Sequence, residues 1–374
     1  MRSEFLNADN SFEMPTEDNK RLSKDLDEIL KADFSGNMFQ MLSKYQSICA
    51  DSKQRNIWDI VVEKLHTLFM CGKAVPLDGP MIGIPVVIRD SDYFKKAANL
   101  IGEKRSLATK IELFATTWNS TFVDTGFWMG KTFEAISKDA VINKTNNYPK
   151  VVEAYNPETT RIGRNFFRDP PDPKGIQKIG IPALIGMWGL RDRPTLENPD
   201  IFDTKLIPEN FKKEVNIPYS KTGGIFLADN GTSVVPEMKG KEVYQLNYRW
   251  PQFKPVYPLS QLVDEIVQIG EGIYLGQLVF ATKRYSLVTI DPDSSVLQLG
   301  EDYNPGKHSF FDKLISFFSP QKSHDEIDYG YQNNGYFLMM DPAYAKQIYA
   351  VNAFPQLRPR AGESGYTESE NVNK

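Results

Sequence analysis

Histidine is scarce in this chain: His66, His308 and His324 are its three. They are too dispersed to form a His-x-x-x-His or similar ligand pair, so the reading is no metal site and no cofactor. The chain has no Gly-x-Ser-x-Gly elbow, no Walker loop and no Gly-x-Gly-x-x-Gly after a strand, which removes the common hydrolase, nucleotide-binding and dehydrogenase signatures. Acid–base chemistry would then fall to a carboxylate or tyrosine in an apolar pocket, where burial lifts a carboxyl pKa towards neutrality. Asp124, Glu134 and Glu271 flank two aromatic motifs and can serve that role or simply be solvated strand ends. Cys71, just before Gly72 at a helix end, is a nucleophile if His66 or a distant histidine serves it, and otherwise a small buried residue. Arg161, Arg164, Arg168 and Arg191, together with Arg193, can bind an anionic head group or phosphate through their fork-shaped donors. The interleaved Asp169, Asp172 and Asp192 fit an ordinary ion-pair network equally well.

The two aromatic motifs are Gly126-Phe127-Trp128-Met129-Gly130 and Gly272-Ile273-Tyr274-Leu275-Gly276. On a strand the two glycines share a face with the ring between them, so a sharp coil of the strand or close approach of a ligand is possible there. Gly186-Met187-Trp188-Gly189 is a third, looser Gly-x-Trp in a Pro-flanked stretch. At these residues the chain resembles lipocalins and related calycin barrels, whose first strand carries Gly-x-Trp. It also resembles the lipocalin-like bacterial proteins named for a Gly-x-Trp-x-Gly motif, which Gly126, Trp128 and Gly130 reproduce. The resemblance covers about ten residues twice, and a long helical segment precedes the first motif here. It implies a β-barrel with an apolar cavity for a small hydrophobic ligand, lined by Trp128, Tyr274 and the face formed by Tyr244, Tyr248 and Trp250.

The elements that would position these residues divide into two textures. Before about residue 120 the pattern is helical: Leu22, Leu26, Ile29 and Leu30 recur at helix spacing, as do Ile57, Val61, Leu65 and Leu68, with Asp51 or Ser52 as a cap. A further helix is expected from Ser91 to Phe114, and Gly79 to Ile88 reads as a loop entering a short strand. After Trp118, β-branched and aromatic runs bounded by Gly, Pro, Asn and Asp read as sheet. Expected there are a hairpin turning at Asp229-Asn230-Gly231, strands over 243–250, 273–281 and 336–340, and helices over 259–267 and from Ala343 to Tyr349. The fold class is thus α+β: a helical N-terminal segment followed by a predominantly antiparallel β-sheet, as a lipocalin-like barrel or a pair of related half-barrels. The divisions are a helical segment 1–120, a first motif-bearing β segment 121–170, a β-rich region 175–357 and a disordered tail 358–374. Asp169 to Lys174 between them is a linker or an exposed connection within one unit.

The 374 residues are 41% hydrophobic, 25% charged and 12% aromatic with a net charge of −4, so an ordinary core is available and no cationic field would hold nucleic acid. Met1 to Leu6 lacks the apolar core of a secretory signal, no stretch reaches the ~20 apolar residues of a membrane span, and the two cysteines form no disulfide scaffold. A cytoplasmic protein is the resulting expectation. The leading functional reading is binding of a small hydrophobic molecule in a barrel-like cavity. Two others stand beside it: a cofactor-free isomerase, cyclase or hydrolase using a carboxylate or tyrosine in that cavity, and a protein- or membrane-interaction module. The last would use Pro305 to Pro320, where Phe310, Phe311, Phe317 and Phe318 suggest peripheral membrane contact.

Overall fold

The computed structural model describes residues 16–51, 54, 57–88, 119–123, 125–169, 172–175, 177–194, 214, 217–238, 240–255, 259, 262–281, 331–358 and 360. Asp124, the helix expected from Ser91 to Phe114, His308, His324, the segment Pro305 to Pro320 and the tail beyond Arg360 lie outside these residues.

Three helices come first, α1 (Thr16–Asp33), α2 (Met38–Ala50) and α3 (Trp58–Cys71). Among the described residues nine strands follow: β1 (Gly79–Ile88), β2 (Trp128–Ala135), β3 (Arg161–Phe167), β4 (Arg191–Asp192), β5 (Lys221–Thr232), β6 (Glu242–Asn247), β7 (Leu262–Gly270), β8 (Ile273–Ala281) and β9 (Tyr331–Met340). Each pairing is antiparallel, and the order β1-β2-β3-β5-β6-β7-β8-β9 returns to β1, giving a closed eight-stranded up-and-down barrel with β4 as a short addition beside β5. Closure removes every free sheet edge among the eight. The two motif-bearing strands, β2 and β8, belong to this one barrel, and β3 pairs with β5 across the Pro-rich connection at 169–174.

The barrel needs strands buried on both faces wherever the helices cover it. On β1, β7, β8 and β9 one set of alternate residues (Ile82, Ile84, Val263, Val267, Leu275, Val279, Leu338, Met340) packs in one core with Leu42, Leu65 and Leu68 of α2 and α3. The other set points inward with the aromatic residues of β2, β5 and β6 in a second core. This two-sided burial explains two differences from the sequence reading. Gly79 to Ile88 is a full ten-residue strand, buried throughout. Residues 262–270 form strand β7 instead of the expected helix, because Leu262, Val263, Ile266 and Val267 satisfy a doubly buried strand as well as a helical face, and the ladders to β6 and β8 decide between them.

The Asp229-Asn230-Gly231 hairpin is also absent. These residues continue β5, with Asn230 opposite Tyr244 and Gly231 opposite Val243, and neither residue adopts positive φ. The Asp229 carboxylate instead accepts bonds from the hydroxyls of Thr159 (2.6 Å) and Thr160 (2.5 Å), pinning the strand to the preceding loop. At the helices, Asp51 closes the C-terminus of α2 and does not cap α3, whose N-cap is Ile57 without a side-chain bond. Helix α2 is a separate element beyond the two helical patterns of the sequence reading; Asn37 caps it by accepting from Gln40 N. Its Gln46 Nε2 donates to Pro85 O at 2.6 Å, satisfying a carbonyl where the β1–β9 register shifts. Among the described residues, no helix is long and apolar enough to cross a membrane.

The shared-face expectation holds for Tyr274 and Gly276, which both face the barrel interior, and fails for Trp128 and Gly130. The β2–β3 register shifts between Trp128 and Gly130, with Gly130 at φ +128°, so the inserted residue lets both Trp128 and Lys131 point inward. The Trp128 ring lies over Gly83 of the neighbouring strand, and Phe337 lies over Gly276. A Cβ on Gly130 would collide with the Met81 carbonyl oxygen in addition to straining φ. Gly130→Ala should therefore lower unfolding free energy by about 3 kcal/mol or more in urea denaturation, since a small residue cannot relieve both backbone strain and the clash.

Candidate functional site

Lysine and aspartate rarely enter a barrel interior unpaired, because an isolated buried charge forfeits its hydration. Strand β2 nevertheless sends Lys131 inward and β7 sends Asp264, only 3% and 1% exposed. Lys131 Nζ lies 2.9 Å from Asp264 Oδ2 and donates to Asn165 Oδ1 and to the Tyr248 hydroxyl, each at 2.6 Å. Tyr248 in turn donates to Asp264 Oδ2 at 2.7 Å. Asn165 on β3 also accepts from Trp128 Nε1 at 2.9 Å and donates to the carbonyl of Gly224 at 2.9 Å. Around the ammonium stand the rings of Trp128, Tyr248, Phe337 and Phe226, with centroids 5.1–5.5 Å away. One amine thus joins side chains from β2, β3, β5, β7 and β9 with Tyr248, the residue that follows β6.

The electrostatics follow from burial. Desolvation pushes the Lys131 ammonium below its ordinary pKa, against the opposing pull of Asp264. Burial, reinforced by the Asp264 charge, holds the Tyr248 hydroxyl well above the usual tyrosine range, so it stays protonated and acts as a donor.

A cavity of about 50 Å³ opens beside this group. Its walls are mainly apolar, including Trp128, Phe337, Leu278, Phe280 and Phe122, while Lys131, Asn165, Tyr248 and Asp264 form its polar side. Two buried polar atoms on residues lining it have no hydrogen-bond partner among the described residues: Asp264 Oδ1, an acceptor, and Trp188 Nε1, a donor. One water needs about 10–15 Å³ of such space, so the cavity suits a group of only a few non-hydrogen atoms.

Of the residues proposed from sequence to hold a ligand, Trp128 and Tyr248 line the cavity. Tyr244 fills the barrel elsewhere, its ring tilted against Phe133 and its hydroxyl donating to the Thr159 carbonyl. Tyr274 sits towards the other end of β8 from Leu278 and Phe280, beside Met339. Trp250 lies past the end of β6 and packs with Tyr148 and Ile162 in a separate small core, so strand alternation does not carry it to the Tyr248 face.

The arginines are placed separately. Arg164 faces outward from β3 and is buried between Glu134 (2.7 Å) and Glu214 (2.7 Å), with Tyr219 donating to Glu214 and Arg193 donating to its carbonyl. Burial raises the Glu134 carboxyl pKa, in spite of Arg164 beside it. Arg161 pairs with Asp78 at 3.1 Å, Arg168 is buried and donates to the carbonyls of Gly126, Gln356 and Arg358, and Arg191 is exposed on β4. Glu134 accordingly serves the outer wall, and Glu271 lies in the β7–β8 turn, where its carbonyl accepts from Tyr344. Cys71 is buried, and among the described residues no group of His, Cys, Asp and Glu is arranged to hold a metal ion.

Lys131, Asp264 and Asn165 escaped the sequence reading. The available signal was a lysine in Phe127-Trp128-Met129-Gly130-Lys131-Thr132-Phe133 and an aspartate in Leu262-Val263-Asp264-Glu265-Ile266-Val267, opposite charges set inside apolar strands. The chain matches no protein-family model, no curated protein and no solved structure.

Lys131→Met would strand the Asp264 carboxylate in the barrel and should cost about 3–5 kcal/mol of stability. Lys131→Met combined with Asp264→Leu should cost clearly less than the two single changes summed. A denaturation double-mutant cycle reads the difference; additivity would mean the two groups do not interact.

Proposed function

We propose that the barrel binds a very small, largely apolar molecule carrying a single oxygen, using its interior in the manner of lipocalin-like proteins. The observation that carries this reading is the pairing of an apolar cavity with two unsatisfied polar atoms, the Asp264 acceptor and the Trp188 donor. Buried polar groups are ordinarily hydrogen-bonded, so such a pair fits a guest whose oxygen can take one bond and give another. The apolar body of the guest would lie against Trp128 and Phe337, and burial there supplies binding at about 25 cal/mol per Å² removed from water. The closed eight-stranded antiparallel barrel supports the lipocalin-like comparison through its architecture. Typical ligand pockets are about 300–1,000 Å³, so a cavity of about 50 Å³ favours a guest far smaller than a fatty acid or retinoid.

Titration with 1-propanol, followed by tryptophan fluorescence and by the indole resonances of Trp128 and Trp188, tests this. Saturable shifts of both indoles are expected. Asp264→Asn should weaken binding by roughly tenfold or more, the worth of one charge-assisted hydrogen bond. Trp128→Phe, a milder change that keeps the wall apolar, should weaken it less. Unsaturable shifts, or affinity unaltered in both folded variants, would overturn the proposal.

A further inference from the structure

The amine inside the barrel is not required for simple apolar binding, and its setting has chemical consequences. A lysine becomes a nucleophile only as the neutral amine, and a desolvated amine beside a proton acceptor is how lysines are activated. Lys131 meets the geometric requirement: its Nζ is buried, lines the cavity, and lies 2.9 Å from a carboxylate whose second oxygen is unoccupied by any described residue.

Resting on the small-ligand reading above, we infer that Lys131 captures a small aldehyde as a covalent imine, with Asp264 moving the protons. The Lys131 ammonium first passes a proton to the Asp264 carboxylate. The neutral Nζ then attacks the aldehyde carbon, forming the C–N bond while the carbonyl oxygen takes up the proton released by nitrogen, giving a carbinolamine. Asp264 returns its proton to that hydroxyl, the C–O bond breaks, water leaves, and the nitrogen lone pair closes the C=N bond. The overall change converts ammonium, carboxylate and aldehyde into iminium, carboxylate and water. The barrel holds one positive and one negative charge before and after, so no net charge has to enter or leave the apolar interior. Burial pushes the Lys131 ammonium below its ordinary pKa, against the pull of Asp264, which is the direction this geometry needs. The Trp188 indole N–H, which lacks a partner among the described residues, suits the aldehyde oxygen, which only accepts and so leaves Asp264 Oδ1 to take the Lys131 proton instead of a guest hydroxyl's bond. The cavity volume restricts the aldehyde to a few carbons.

The test uses the full chain at neutral pH with propanal and cyanoborohydride, which reduces an imine to a stable propylamine. Peptide mapping by mass spectrometry then locates the propyl group. The expected result is one propyl group, predominantly on Lys131, lost when excess 1-propanol competes and lost in Lys131→Arg. Mapping the unaltered protein keeps the test valid even if that variant fails to fold. Propyl groups on exposed lysines with Lys131 unmodified, in protein whose 1-propanol titration still saturates, would overturn the covalent inference while leaving the binding proposal standing. Failure of both the labelling and the titration would remove both.

Discussion

The ion pair inside the barrel, Lys131 with Asp264, organises it. Lys131 and Asp264 come from strands on different parts of the closed sheet, and with Asn165 and Tyr248 they tie β2, β3, β7 and the end of β6 through the interior. Once these charges are inside, their surroundings are constrained. Every ammonium proton must find an acceptor, aromatic faces must fill the space that water would occupy, and the β2 backbone must bulge at Gly130 so that Trp128 and Lys131 both face inward. Such a pair is weak evidence for stability, since an apolar replacement is often as stable. Its presence is better explained by what it does for the cavity beside it.

The outer shell is built to keep that interior in register. Gln245, Glu265, Gln277 and Asn333, on four successive strands, form a hydrogen-bonded row across the outside of the barrel, with Ser233 and Val234 N completing Glu265. On the other side Arg164 holds Glu134 and Glu214. A one-residue slip would send these groups inward and the aromatic rings outward, so the polar rows and the ring-filled core specify the same register. Helices α1, α2 and α3 then cover the β1, β9, β8 and β7 flank, which lets those strands be apolar on both faces.

How much of this is legible in the sequence depends on whether local pattern or distant pairing decides the structure. The helices around Leu26 and Leu65 and the strand from Ile273 to Ala281 show their own periodicity, and the α+β class follows from it, whereas the barrel is implied by the resemblance at the glycine-aromatic motifs. Strand β7 does not, because burial on both sides erases the period-two signal that separates strand from helix. Asn230-Gly231 has turn chemistry, yet pairing with β6 and the threonine bonds to Asp229 keep the chain extended. In the site, Trp128 and Tyr248 were visible as aromatic residues of strands, whereas Lys131 and Asp264 acquire their meaning only when the closing sheet brings them together. Trp250 shares the Tyr248 face only on a strand running to residue 250, and β6 ends at Asn247.

The most direct test of this account is a crystal structure of the protein grown or soaked with 1-propanol. The account predicts the alcohol inside the barrel, its hydroxyl within hydrogen-bonding distance of Asp264 Oδ1 and its propyl chain against Trp128 and Phe337. An alcohol found solely on the outer surface, with the interior unchanged at saturating concentration, would contradict it.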